Sequence, residues 1–227
     1  MAARPMHAER TRAGVDARPV AGVHTRTVVV AGPPASGKTT LGAALARALH
    51  HAFIDLDIVT GPLTRAALSL AGEDETALDG APGARLRDAR YDALLDTAAA
   101  NLSVGLGVVL SGPFTRERAD PARWEAVRER LGTPDATLIC LELDEATRHA
   151  RMQARGAPRD RGKLDAAGEL AEPSALIPGA VRLDASARPD GLLAAALAAL
   201  GAPESDAGRL LDRQRQEPSP PAGPRPC

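Results

Sequence analysis

The chain has 227 residues, is 44% hydrophobic and 25% charged, and sets 28 basic residues against 29 acidic ones. That is the size and apolar content of one globular domain, and the near-cancelled charge argues against a global electrostatic grip on nucleic acid. No run reaches the roughly 20 apolar residues that span a bilayer, the scarce aromatics (Phe53, Tyr91, Phe114 and Trp124) give little platform for stacking single-stranded bases, and Cys140 and Cys227 form neither a disulfide framework nor a zinc spacing.

Residues 1–25 are rich in Arg, Ala and Gly without periodicity, and 202–227 are rich in proline, so both ends are expected to be disordered tails. Arg4 is followed by no apolar stretch of signal-peptide type, which together with the cysteine usage predicts a cytoplasmic protein. Within 26–201, Thr27–Ala31 reads as a buried strand and Leu41–Leu49 as a helix. Ala52–Asp57 reads as a second strand ending in acids. A helical region follows, broken near Gly72–Gly83, and a helix runs from Ala84 to Leu102. Gly107–Ser111, Ala136–Leu143 and Ala180–Asp184 read as further strands, with helices ending at Leu131 and spanning Glu145–Arg155 and Gly191–Leu200. Apolar strands alternating with helices predict an α/β fold with a five-stranded parallel sheet covered on both faces, with ligands at the strands' C-terminal edge.

Gly32-Pro33-Pro34-Ala35-Ser36-Gly37-Lys38-Thr39 matches G-x-x-x-x-G-K-[ST], between a β-branched strand and an Ala/Leu helix. Glycines let backbone N–H groups close around a phosphate, and the helix start adds partial positive charge. Lys38 then reaches the β- and γ-phosphates of a nucleotide held by the loop from Gly32 to Thr40, and the Thr39 hydroxyl can ligate Mg²⁺. Only Lys38 and Lys163 among the basic residues are lysines; at Lys38 the loop needs a compact ammonium rather than a guanidinium. No N/T-K-x-D guanine-reading motif is present, and the third strand ends in Ser111-Gly112-Pro113 rather than in an acid, which weakens a motor-type ATPase reading.

Asp55 and Asp57 alternate at the end of the second strand, which predicts carboxylates on one side. They suit either a metal-and-base pair beside the γ-phosphate or the cap of the next helix. On the phosphate loop and these acids, residues 26–201 resemble the P-loop small-molecule kinases (shikimate kinase, gluconate kinase, chloramphenicol phosphotransferase) and the predicted kinases grouped as AAA family ATPases. The resemblance implies a three-layer P-loop NTPase fold, strand order 2-3-1-4-5 as in nucleoside monophosphate kinases, and ATP and Mg²⁺ as cofactors. It implies Asp57 as the hydroxyl-activating base, Asp55 on the metal side, and Phe114 and Arg116 facing the acceptor after the third strand. It also implies a lid over 155–178, with Arg155, Arg159 and Arg161 closing on the phosphates or stacking on adenine, and a turn at Ser186 and Pro189 bordering adenine. Acceptor helices are implied over 58–104, where Arg87 and Arg90 share a face and can bind an acidic acceptor or lie in water.

Arg148 and Arg151 are expected at the surface or paired with Glu145 or Glu142, Tyr91 and Trp124 in packing, and His149 exposed. The partners expected are ATP and a small hydroxyl-bearing substrate, with no nucleic acid and no membrane, in a monomer or homodimer. A nucleoside or nucleotide kinase and a non-catalytic P-loop regulatory protein are the alternatives.

Overall fold

A computed structural model describes residues 26–73, 81–156 and 176–202. Thr27–Ala31 forms β1, buried along its whole length. Its side chains alternate between two cores: Val28 and Val30 enter one cluster, Val29 and Ala31 the other. A strand that is apolar on both faces needs cover on both, and it has it. Helices α1 (Lys38–Leu49) and α6 (Pro189–Ala199) supply Leu45, Leu49, Leu193 and Leu197 to the first core. Helices α3 (Ala81–Ser103) and α4 (Pro121–Leu131) supply Leu94, Leu95, Trp124 and Leu131 to the second.

The sheet adds β2 (Ala52–Asp55), β3 (Val108–Ser111), β4 (Thr137–Glu142) and β5 (Val181–Asp184). Its order is β2-β3-β1-β4-β5, with every neighbour parallel. This is the three-layer α/β arrangement with the expected 2-3-1-4-5 order. The remaining helices, α2 (Leu56–Leu70) and α5 (Glu145–Arg155), each follow a strand directly or after a two-residue turn. Among the described residues, no helix is long and apolar enough to cross a membrane.

The second strand stops at Asp55 rather than at Asp57. Asp55 Oδ1 accepts the backbone N–H groups of Asp57 (2.9 Å) and Ile58 (3.2 Å), which starts α2 at Leu56 and puts Asp57 in its first turn. A side-chain oxygen that satisfies orphan helix donors outcompetes strand continuation here. The alternation argument for Asp55 and Asp57 therefore does not apply. Beyond α6, Ala202, one residue past the expected 26–201 span, is buried, and its N–H donates to the Leu197 carbonyl at 3.0 Å. At the far end of the expected lid, Ile177 is buried and its N–H reaches the Arg118 carbonyl at 3.0 Å. Residues 1–25 and the rest of the C-terminal tail, together with Arg159, Arg161 and Lys163, lie outside the described residues.

Candidate active site

The turn between β1 and α1 is built on backbone that few residues tolerate. A Cβ on Gly32 would lie 2.8 Å from the Leu141 carbonyl oxygen, so glycine lets the loop pass close to β4. Gly37 caps α1 at φ 89°, ψ 15°, and Ala35 also has positive φ, 60°. Left-handed residues spaced like this make the N–H nests that bind anions, and a non-glycine held there is the kind of strain that collects at ligand sites. Ser36 is buried and its Oγ has no hydrogen-bond partner. Lys38 Nζ donates to the Pro33 carbonyl at 2.6 Å. These features, an orphaned donor and a strained cradle at a helix N-terminus, fit a polyphosphate.

Pro34, Ala35, Gly37, Lys38, Thr39 and Thr40 form one end of a cavity of about 560 Å³. Asp55 and Asp57 also line it, as do Arg87, Arg90 and Tyr91 of α3. Thr39 Oγ1 donates to Asp55 Oδ2 at 2.9 Å. Asp55 thus uses one oxygen for the helix cap and the other for Thr39. A hydroxyl and one carboxylate are the sparse oxygen set that Mg²⁺ accepts when phosphates and waters complete its shell. Among the described residues, no group of three or more His, Cys, Asp or Glu is placed to hold a metal ion.

Asp57 is exposed, and its Oδ1 meets Arg90 Nη2 at 2.7 Å. Arg90 Nε donates to Thr60 Oγ1 at 3.0 Å, and Thr60 in turn donates to the Leu56 carbonyl. The Arg87 guanidinium sits 4.6 Å over the Tyr91 ring and 3.6 Å from Glu117. The Tyr91 hydroxyl accepts the Phe114 N–H at 2.8 Å. Burial pushes the Tyr91 phenol up to about 12, against the lowering pull of Arg87.

The turn after β3 corrects two expectations. Ser111, Gly112 and Pro113 line the cavity, but Phe114 is fully buried, edge-on to Tyr91 at 5.2 Å. Its φ of 43° turns the side chain into the second core rather than toward an acceptor. Arg116 is exposed, 3.6 Å from Asp88, and does not line the cavity. Ser111, which ends β3 where an acid would support a motor-type ATPase, has a hydroxyl buried without a hydrogen-bond partner.

Helix α5 has the expected Arg148–Glu145 pair but places Arg151 differently from the expectation. Arg148 is buried, 3.7 Å from Glu145, because its face packs inward. Arg151, expected in surface contacts, lines the cavity with Arg155. Their i, i+4 spacing puts them on one face and was the available signal. His149 is half-buried. A second cavity of about 560 Å³ flanks the other side of the loop, with Ser36, Arg151, Ala187, Pro189 and Asp190 in its wall. Ser186 is not in that wall. Its N–H and hydroxyl both go to Asp184 at 2.8 Å, which holds the Asp184 carboxyl below the usual range.

A strained phosphate loop on the central strand of a 2-3-1-4-5 parallel sheet defines a P-loop protein with a kinase-like fold. A family profile described as an AAA domain matches residues 28–170, and the chain belongs to that family. No curated protein matches the chain. Among solved structures, a gluconokinase from Sinorhizobium meliloti 1021 is similar at 22% identity and TM-score 0.50, over 88% of this chain and 98% of that one. A sugar kinase from Janibacter sp. HTCC2649 is similar at 22% identity and TM-score 0.52, over 81% and 98%. At this identity the likeness is one of fold.

Proposed function

We propose that the chain is a cytoplasmic, ATP- and Mg²⁺-dependent kinase that moves the γ-phosphate of ATP to a hydroxyl of a small metabolite or antibiotic. The observation that carries this reading is a single cavity lined by the phosphate-loop residues Lys38 and Thr39 together with Asp55 at the end of β2 and Asp57 in the first turn of α2. The second cavity, walled by Leu192, Leu193, Pro189 and Asp190, suits a flat base with polar edge atoms. The similar structures of a gluconokinase and a sugar kinase add weight to a small-molecule acceptor.

In this reading the loop amides and Lys38 hold the β- and γ-phosphates, and Arg151 and Arg155 add charge from the open side. Thr39 and Asp55 would hold Mg²⁺, which when bound offsets phosphate charge. Asp57 takes the proton of the acceptor hydroxyl. The acceptor oxygen forms its bond to the γ-phosphorus as the bond to the β,γ-bridging oxygen breaks, and ADP leaves with that electron pair. Arg159 and Arg161 belong to the same proposal as lid cations.

Asp57→Asn tests it. Turnover with a hydroxyl acceptor should fall roughly 10²- to 10⁴-fold, the usual worth of a general base, while ATP affinity holds. Unchanged turnover would remove Asp57 from the chemistry. The pairing of Asp57 with Arg90 favours a second reading, a P-loop binding protein with little catalysis. That reading gains if a broad panel of hydroxyl-bearing metabolites and antibiotics gives no acceptor-dependent ADP.

A further inference from the structure

Helix α2 carries an apolar face that neither cavity uses. Three of the five large hydrophobic side chains exposed among the described residues lie on it: Ile58 is 63% exposed, Leu63 76% and Leu70 90%. Ile58, Pro62, Ala66 and Leu70 recur at i, i+4, so they form one row along the helix, with Leu63 on its flank. The buried face is the other one, through Leu56, Thr60, Thr64 and Leu68. Ile58, Leu63 and Leu70 line neither cavity, so a small ligand in those cavities does not cover them. Single exposed apolar side chains are ordinary, but a contiguous row of them marks a contact surface.

The row is also free of charge. Helix α2 holds two charged residues, Asp57 and Arg65. Asp57 turns to Arg90 at 2.7 Å. The Arg65 guanidinium lies back along its own helix, 3.4 Å from where a Cβ on Gly61 would stand. A partner recognised by charge finds nothing to grip on such a row. A surface that meets its own copy has to be neutral, because a two-fold axis sets each side chain's charge near its duplicate. We propose that α2 is a self-association surface, on which two copies of this chain pack antiparallel about a two-fold axis between Pro62 and Ala66. In that register Ile58 of one copy meets Leu70 of the other, and Pro62 meets Ala66. The small side chains at the centre let the helices approach, and the large ones fill the ends. The row spans about 18 Å at helical rise. One helix face of that length offers less than the roughly 800 Å² per partner of a standard interface. The dimer is therefore weak and reversible, and its population follows concentration. The inference does not depend on the kinase reading.

The test is sedimentation velocity on the full chain, from about 1 µM to several hundred micromolar. The weight-average sedimentation coefficient of the wild type should rise with concentration. Leu63→Glu and Leu70→Glu should hold it at the monomer value, because each sets like charges into the apolar contact. Both side chains stand mostly in water, so these variants are expected to keep the wild-type circular dichroism. A wild type that stays monomeric over the whole range overturns the inference, and so does association that both variants retain. Two cysteine substitutions read the register in a Cys227→Ser background, where Cys140 is buried. Ile58→Cys and Leu70→Cys, mixed and mildly oxidised, should form a disulfide dimer several-fold faster than either variant alone. Equal cross-linking by each variant alone overturns the antiparallel packing. Should Leu63→Glu not fold, the wild-type dilution series, Leu70→Glu and the mixed cysteine variants still decide.

Discussion

Arg151 lines both cavities, so one guanidinium borders the proposed phosphate and base subsites. Arg151→Ala is expected to raise the KM for ATP roughly tenfold, with a much smaller change in the acceptor KM. Steady-state ADP release with each substrate varied in turn measures this, and an effect confined to the acceptor KM would contradict it. Arginine spacing alone did not single this residue out. Arg148, Arg151 and Arg155 share a broad face at i, i+3 and i+7, and which part of it faces ligand depends on how α5 rolls against the sheet. That roll is set by packing, which buries Arg148. Phe114 is a similar case. Its position in a loop after β3 suggests exposure, but a positive φ and the Tyr91 hydroxyl bonded to its N–H turn it inward. Gly32, Lys38 and Thr39 were legible because the phosphate loop is local in sequence and nearly invariant in its geometry.

At the scale of elements, Asp55 joins β2, α1 and α2 through one carboxylate. The two functions of its oxygens can be separated. Asn is as good an N-cap as Asp but a poor Mg²⁺ ligand, so Asp55→Asn should shift the thermal midpoint little while raising the Mg²⁺ concentration needed for ADP release. Asp55→Ala should lose the cap as well, costing about 1 kcal/mol in chemical denaturation. Equal loss of stability in both variants would show that the cap depends on full charge. The strands were legible because each is a short apolar run bounded by turn residues. Glu145–Arg155 was legible because Asp144 and Gly156 punctuate it as N-cap and left-handed C-cap. The end of β2 was not, since Asp55-Leu56-Asp57 satisfies a strand pattern and a helix cap equally. Only the competition for the N–H groups of Asp57 and Ile58 decides.

For the whole molecule, two buried neutral acids link the cores to pH. Burial pushes the Cys140 thiol from 9.0 up to about 11 and the Tyr91 phenol from 10.0 up to about 12. The native state keeps both protonated longer than the unfolded chain does. Their contribution is therefore complete below pH 9, and is lost as pH rises through the raised native values. The thermal midpoint should begin to fall above about pH 9, and Cys140→Ala should delay the fall toward the Tyr91 range. A midpoint flat to pH 11 would mean that neither group differs between the two states. The sheet order was readable only through the resemblance carried by the phosphate loop and the two acids, because hydrophobic periodicity names strands without saying which lie side by side.

The chain leaves β2 after Asp55, builds α2 and α3, and returns into β3, and β2 and β3 are neighbours with Asp55 in register with Ser111. The excursion therefore opens and closes on one seam of the sheet. Segments that start and finish side by side can lengthen, shorten or be exchanged at little entropic cost and without shifting the strands around them. Arg87 and Arg90 ride on that excursion, whereas Lys38, Arg151 and Pro189 do not. On the proposed kinase reading, a lineage carrying this architecture can redraw its acceptor by rewriting 58–107 beyond Asp57, while the phosphate loop and the second cavity stay as they are.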